Sequence, residues 1–124
     1  MDLPLRVGIV GAPRGGGSIS ALRAVTEVEV AALCDLNPDT LAASADAHGV
    51  EGRFTDYEQM LDSGVDMVIV ATPMHLHAPQ AIAALERGIH VISEVTAATD
   101  VEQCIALRDA VLASSAKYMM AAQR

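Results

Sequence analysis

The chain has 124 residues, a length for one domain rather than two. Hydrophobic residues make up 52% of it, yet it holds only two tyrosines, one phenylalanine and no tryptophan, so its core must be built from Val, Ile, Leu, Ala and Met. A formal net charge of −8 argues against nucleic acid and anionic membranes as partners, since both select basic surfaces, and no apolar run reaches the ~18 residues of a membrane span.

The predicted elements alternate strand and helix from the start. Residues 5–11 read as a buried strand, Ala12-Pro13-Arg14-Gly15-Gly16-Gly17 as a tight loop, and Ser18 onward, to about residue 25, as a helix. Residues 28–35 form the next apolar strand, closed by Asp35. Asn37 caps a helix with Pro38 at its first position, Leu41, Ala42, Ala45 and His48 at helical spacing, and Gly49 as its stop. A minor strand is expected around Arg53-Phe54, then a short helix over 57–62, capped by Asp56 and ended by Gly64. Met67-Val68-Ile69-Val70-Ala71 is apolar without alternation, the pattern of a central parallel strand covered on both faces, and Thr72-Pro73 breaks it. A helix over 79–87 turns Ile82 and Leu85 inward and stops at Gly88. A strand over 89–93 follows. Asp100 caps a helix to about residue 113, with Val101, Cys104, Ile105, Leu107 and Val111 expected on its buried side; residues 117–120 make a last strand. This alternation with short loops predicts a single α/β domain over 1–124: a doubly wound parallel sheet in three layers, α/β/α.

Cys34 and Cys104 give neither a disulfide framework nor a zinc spacing and both read as small core residues. Glu27, Glu29, Glu51, Asp56, Glu58 and Asp62 read as a solvated face. With no leader ahead of the first strand, the cytoplasm is the expected compartment. No Ser-His-Asp order or paired-carboxylate spacing points to a hydrolase.

The strand–glycine loop–helix junction aims backbone N–H groups and the positive end of a helix dipole at one spot, which suits a phosphate. Asp35 lies 24 positions after Gly11, and an acidic residue about 20 residues on is where a dinucleotide-binding unit places its acceptor for the ribose hydroxyls. A carboxylate there repels a 2′-phosphate, which favours NAD over NADP. The competing readings are a plain strand-to-helix turn and a turn aspartate. Arg14 either contacts the adenosine phosphate or ribose or is a solvated loop arginine. Thr72 and Pro73 end a central strand at the edge where ligands of open α/β sheets sit. His75 and His77 are two apart, without a carboxylate or thiolate set beside them, which is weak ground for a metal. His48 and His90 look structural or superficial.

Four segments in this order and spacing carry a family likeness: Arg6-Val7-Gly8-Ile9-Val10-Gly11, Ala32-Leu33-Cys34-Asp35, Ala71-Thr72-Pro73-Met74-His75-Leu76-His77 and Gly88-Ile89-His90-Val91-Ile92-Ser93-Glu94. They resemble the N-terminal cofactor domain of the glucose–fructose oxidoreductase / inositol dehydrogenase / rhizopine-catabolism (Gfo/Idh/MocA) family of NAD(P)-dependent oxidoreductases. The resemblance implies a Rossmann domain that holds a dinucleotide through Gly11, Pro13, Arg14, Gly15, Gly16, Asp35, Thr72, Pro73, His77 and Glu94. His77 is then either on the cofactor side or a plain helix-start histidine, and Glu94 either lies near the nicotinamide ribose or caps its turn.

Three positions depart from the family pattern. Pro13 replaces the middle glycine of Gly-x-Gly-x-x-Gly and removes an N–H donor. Met74 replaces the asparagine of Thr-Pro-Asn. Val95 stands where the family's Glu-Lys-Pro motif has the lysine that assists proton transfer, giving Ser93-Glu94-Val95, a form that some branches carry. Family members continue into a substrate-binding second domain, which is expected to be absent here. The resemblance therefore implies a cofactor domain of an oxidoreductase acting on a sugar- or polyol-like substrate, with no catalytic residue of its own and little or no turnover alone. A dinucleotide-sensing or regulatory module is the alternative, and an NAD-dependent glycosidase or lyase branch a further one. Without a second domain, Tyr118-Met119-Met120-Ala121-Ala122 would be exposed, so a homodimer or larger homo-oligomer is expected to cover it.

Overall fold

The computed structural model describes residues 4–11, 19–94 and 97–121. Its strands are β1 (Leu5–Val10), β2 (Val28–Cys34), β3 (Gly52–Phe54), β4 (Met67–Val70), β5 (His90–Glu94) and β6 (Tyr118–Ala121). Its helices are α1 (Ile19–Arg23), α2 (Pro38–His48), α3 (Tyr57–Leu61), α4 (His77–Glu86) and α5 (Val101–Ala113), and a 3-10 turn spans Met74–Leu76. All the strand pairs are parallel, in the order β3-β2-β1-β4-β5-β6. The chain winds outward from β1 to β3, then crosses back to β4 and winds the other way. The reversal falls between β1 and β4, and a crevice opens there beyond the carboxyl ends of the strands.

The strand pleat divides the apolar residues between two helical layers. Val7, Ile9, Leu33 and Ile69 face α1 and α2, where they pack with Ile19, Leu41 and Ala45. Val10, Val68, Val70 and Val91 face the opposite way, against Met60 and Leu61 of α3, Ala81, Ala84 and Leu85 of α4 and Leu107 of α5. The three-layer, doubly wound α/β architecture expected from the sequence is the one observed. Along one row of the first face, Leu33, Ile9, Ile69, Ile92 and Met119 are register neighbours across five strands. Burial fades along this row, from Leu33 and Ile9 at 0% exposed to Met119 at 58%.

The helix ends follow their capping residues. Asn37 Oδ1 accepts the N–H groups of Asp39 (2.9 Å) and Thr40 (3.1 Å), and Gly49, in the left-handed region at φ +66°, closes α2. Asp56 caps α3 through Glu58 N–H at 2.9 Å, and Asp100 caps α5 through Gln103 N–H at 2.7 Å. Helix α4 begins at His77, two residues before the expected start. Pro79 falls inside its first turn, where a missing N–H leaves no bond unmade. The last strand begins at Tyr118 rather than at residue 117, because Lys117 N–H turns to donate to His90 Nδ1 at 3.0 Å; His90 is thus structural.

Helix α5 corrects the sequence reading. Cys34 is buried in β2 as expected, but Cys104 is exposed, and so are Val101 and Ile105. Leu107 and Val111 turn inward as expected, but Gln103 and Ala110 join them in place of Val101, Cys104 and Ile105. Gln103 Oε1 accepts both the N–H (2.9 Å) and the hydroxyl (2.8 Å) of Thr99, which closes the first turn of the helix.

Candidate functional site at the strand switch point

Gly11 stands at the end of β1, where the two halves of the sheet part. Its φ is +94°, and a Cβ built on it would fall 2.5 Å from the Ala71 carbonyl oxygen and 2.9 Å from the Thr72 nitrogen. No side chain fits between these backbones, so the position needs glycine for conformation and for space. Gly11 N–H donates to the Cys34 carbonyl (2.9 Å) and Ala71 N–H to the Val10 carbonyl (2.9 Å), which continues the sheet's bonding one residue past β1 and β4.

Asp35 follows β2 directly and is half-buried. Its N–H donates to the Phe54 carbonyl at 3.1 Å, and its Oδ1 accepts Asn37 N–H at 2.9 Å. The Asp35 backbone is thereby tied to β3 and its carboxylate to the N-cap of α2.

At the tip of β4, Thr72 is gripped twice by α4. His77 Nε2 lies 2.6 Å from the Thr72 carbonyl, to which it donates, and the Thr72 hydroxyl donates to Gln80 Oε1 at 2.6 Å. His77 is 1% exposed. The Tyr57 hydroxyl donates to the Gln80 main-chain carbonyl at 2.7 Å, which ties α3 to α4 beneath the same turn. Burial pushes the Tyr57 phenol up from its ordinary range, so it stays a donor. The Cys34 thiol is pushed up to about 12 by burial first and by Asp35 and Asp56 second, and it is a neutral wall residue rather than a thiolate.

These groups frame one cleft of ≈ 780 Å³, within the usual size range of a small-molecule site. Gly11, Asp35, Thr72 and Pro73, four of the residues singled out from the sequence, line it together. His77 lies behind the cleft wall, whereas His75 lines the cleft and is exposed; the two histidines therefore face different surroundings. Glu94 is buried at the carboxyl end of β5, on the same edge of the sheet but outside the cleft lining. Pro13, Arg14, Gly15, Gly16 and Val95 lie outside the described residues. Leu36, Tyr57, Leu76 and Gln80 also line the cleft, and sequence reasoning missed them. Leu36, 82% exposed directly after Asp35, could have been found by its position; the others join only through packing.

A family model described as "Oxidoreductase family, NAD-binding Rossmann fold" matches residues 5–122. The chain belongs to the Gfo/Idh/MocA family. This Gfo/Idh/MocA domain is 32% identical over 127 residues to a glycosyl hydrolase family 109 protein of Shewanella pealeana, a match covering 94% of the chain and 28% of that protein. It is 37% identical over 90 residues to levoglucosan dehydrogenase of Pseudarthrobacter phenanthrenivorans, covering 72% of the chain and 23% of that enzyme. Among solved structures it is similar to the WlbA dehydrogenase of Bordetella pertussis in complex with NADH and UDP-GlcNAcA, with a TM-score of 0.87 and 32% identity, covering 94% of this chain and 36% of that one. The chain thus spans about a quarter of the length of these curated relatives. It is a Gfo/Idh/MocA NAD-binding domain.

Proposed function

We propose that the cleft holds NAD, in preference to NADP, with the adenosine ribose on Asp35 and the pyrophosphate over Gly11 and the loop that follows it. One observation carries this reading: a glycine that only a bare backbone can replace and a carboxylate at the next strand tip line the same crevice at the switch point. Asp35 accepts hydrogen bonds from the ribose hydroxyls, Thr72 and Pro73 form the opposite wall, and Glu94 and His77 support the edge toward which the nicotinamide extends. Loop residues Pro13, Arg14, Gly15 and Gly16 complete the phosphate cradle. NADH is part of the WlbA complex named above, which supports the cofactor class. Calorimetric titration of the chain with NAD and NADP tests the reading. Tighter binding of NAD is expected; no binding of either at millimolar levels would remove the proposal, and a preference for NADP would remove the role of Asp35.

In the whole protein, the bound nicotinamide would exchange a hydride with a carbon of a sugar- or polyol-like substrate. Within this chain, residues orient the dinucleotide and exclude water, and none is assigned to proton transfer, because Val95 carries no ionisable group where family members have lysine. That substitution, together with glycosyl hydrolase family 109 relatives of 31–34% identity, supports a second reading, in which tightly held NAD assists glycoside cleavage. NAD retained through purification would favour this reading; ready exchange of the dinucleotide would disfavour it. We further place the protein in the cytoplasm, as a homodimer or larger homo-oligomer that covers β6, where Met119 and Met120 are exposed.

A further inference from the structure

Gln80 is an amide in a cleft whose neighbouring walls are apolar. It projects from α4 beside Cys34, Leu36, Tyr57 and Leu76, all of which line the same cavity. Two bonds fix it from outside. Its main-chain carbonyl accepts the Tyr57 hydroxyl (2.7 Å), and its Oε1 accepts the Thr72 hydroxyl (2.6 Å). Its amide nitrogen makes no hydrogen bond among the described residues. The side chain is half-buried, so one lone pair of Oε1 and two N–H groups remain for whatever occupies the slot.

Apolar lining of this kind suits the faces of a flat ring, and the amide selects what its edge must offer. An N–H donor beside a ring-nitrogen acceptor is the edge that glutamine pairs with in bidentate fashion, and in purines it is the N6/N7 edge of adenine. We infer that Gln80 is a specificity-determining residue, whose amide reads the amino edge of the adenine ring while the Thr72 hydroxyl holds it in register. Oε1 accepts from N6–H and Nε2–H donates to N7. The inference rests on the dinucleotide reading given above and adds the choice of base to it.

A 6-oxo purine defeats the pairing in either orientation of the amide. As drawn, Oε1 meets the lone pairs of the oxo group. If the amide flips, Nε2 satisfies the oxo group but Oε1 then faces N7. One hydrogen bond is lost both ways, and a repulsion is added.

Titration of the full chain with NAD and with nicotinamide hypoxanthine dinucleotide tests this. NAD should bind about five- to tenfold more tightly, the cost of one lost hydrogen bond. Gln80→Leu should bring the two dinucleotides to within about twofold of each other, chiefly by weakening NAD. The Tyr57 bond uses the main-chain carbonyl and survives the substitution, whereas the Thr72 hydroxyl loses its acceptor, so the variant's urea midpoint should fall by no more than that one bond implies, and circular dichroism should show the fold retained. Equal binding of both dinucleotides by the parent, or a preference that persists in Gln80→Leu, would overturn the inference and leave the dinucleotide reading standing. Binding of neither would overturn both.

Discussion

The imidazole of His77 donates through Nε2 to the carbonyl of Thr72, five residues earlier, across 2.6 Å. The bond closes the passage from β4 through the 3-10 turn into α4. It also sets the Thr72–Pro73 peptide that walls the cleft. Bonded to the Thr72 carbonyl, this nearly fully buried histidine works here as a brace for the binding surface. His77→Phe keeps the bulk and removes the donor. It should lower unfolding free energy by about 1–3 kcal/mol, read from urea denaturation, and should weaken dinucleotide binding along with it.

Gly11→Ala should be more damaging to binding than its size suggests. The added methyl falls on the Ala71 carbonyl in a conformation that L residues rarely adopt. The strain is of order 1–3 kcal/mol, and relief requires β1 and β4 to part where the cleft begins. Loss of measurable NAD affinity in a folded variant, checked by circular dichroism, is the expected result.

Asp35→Ser keeps a short acceptor for Asn37 N–H but removes the charge. NAD affinity should fall about tenfold or more, as expected for hydrogen bonds to a charged group. NADP affinity should fall less or rise. The ratio of the two dissociation constants, measured by calorimetry, reports the carboxylate's role with little interference from stability.

Alkaline pH should destabilise the fold. The Cys34 thiol, 2% exposed, titrates near its ordinary value of 9.0 in the unfolded chain but is pushed up to about 12 in the folded one. The folded state therefore favours the protonated thiol. This contribution is fully present below pH 9 and is lost between pH 9 and 12, with a limiting slope of about 1.4 kcal/mol per pH unit. The raised Tyr57 and Tyr118 phenols act in the same direction. Urea midpoints from pH 7 to 11 should decline above 9, and Cys34→Ala should flatten part of the decline.

The edges of the sheet differ in protection. β3 is three residues long and carries Arg53, paired with Asp46 at 2.7 Å. β6 presents Met119 and Met120 and has no charged residue. An edge of that kind invites pairing. Met119→Lys should shift the protein toward monomer in light scattering at high concentration, and a parent protein that is already monomeric there would count against the proposed assembly.

The sheet and its order of elements were legible in the sequence because strand burial and helix caps are local properties. Val68-Ile69-Val70 announces a two-sided strand, and Asn37, Asp56 and Asp100 each cap the helix they precede. Gly11 and Asp35 were legible too, since chain spacing alone brings two adjacent strand tips together. Tyr57 and Gln80 were not, because Tyr57 reaches Gln80 only when α3 and α4 pack on one face of the sheet, and Gln80 meets Thr72 only when α4 folds back over the tip of β4; no spacing encodes either meeting. The facing of α5 was lost for another reason. It has apolar residues on several sides, so periodicity offers no preferred stripe, and the side that packs on the core, Leu107 with Ala110 and Val111, is settled only by tertiary contact.

The fading burial along the row from Leu33 to Met119 has a consequence for how the molecule breathes. Strand β1 is bonded on both sides and covered on both faces, so its amide protons should exchange with deuterium only when the whole domain opens. Strand β6 is bonded on one side and thinly covered, and it should peel away first. The peeling then exposes the border of β5, whose last residue is Glu94.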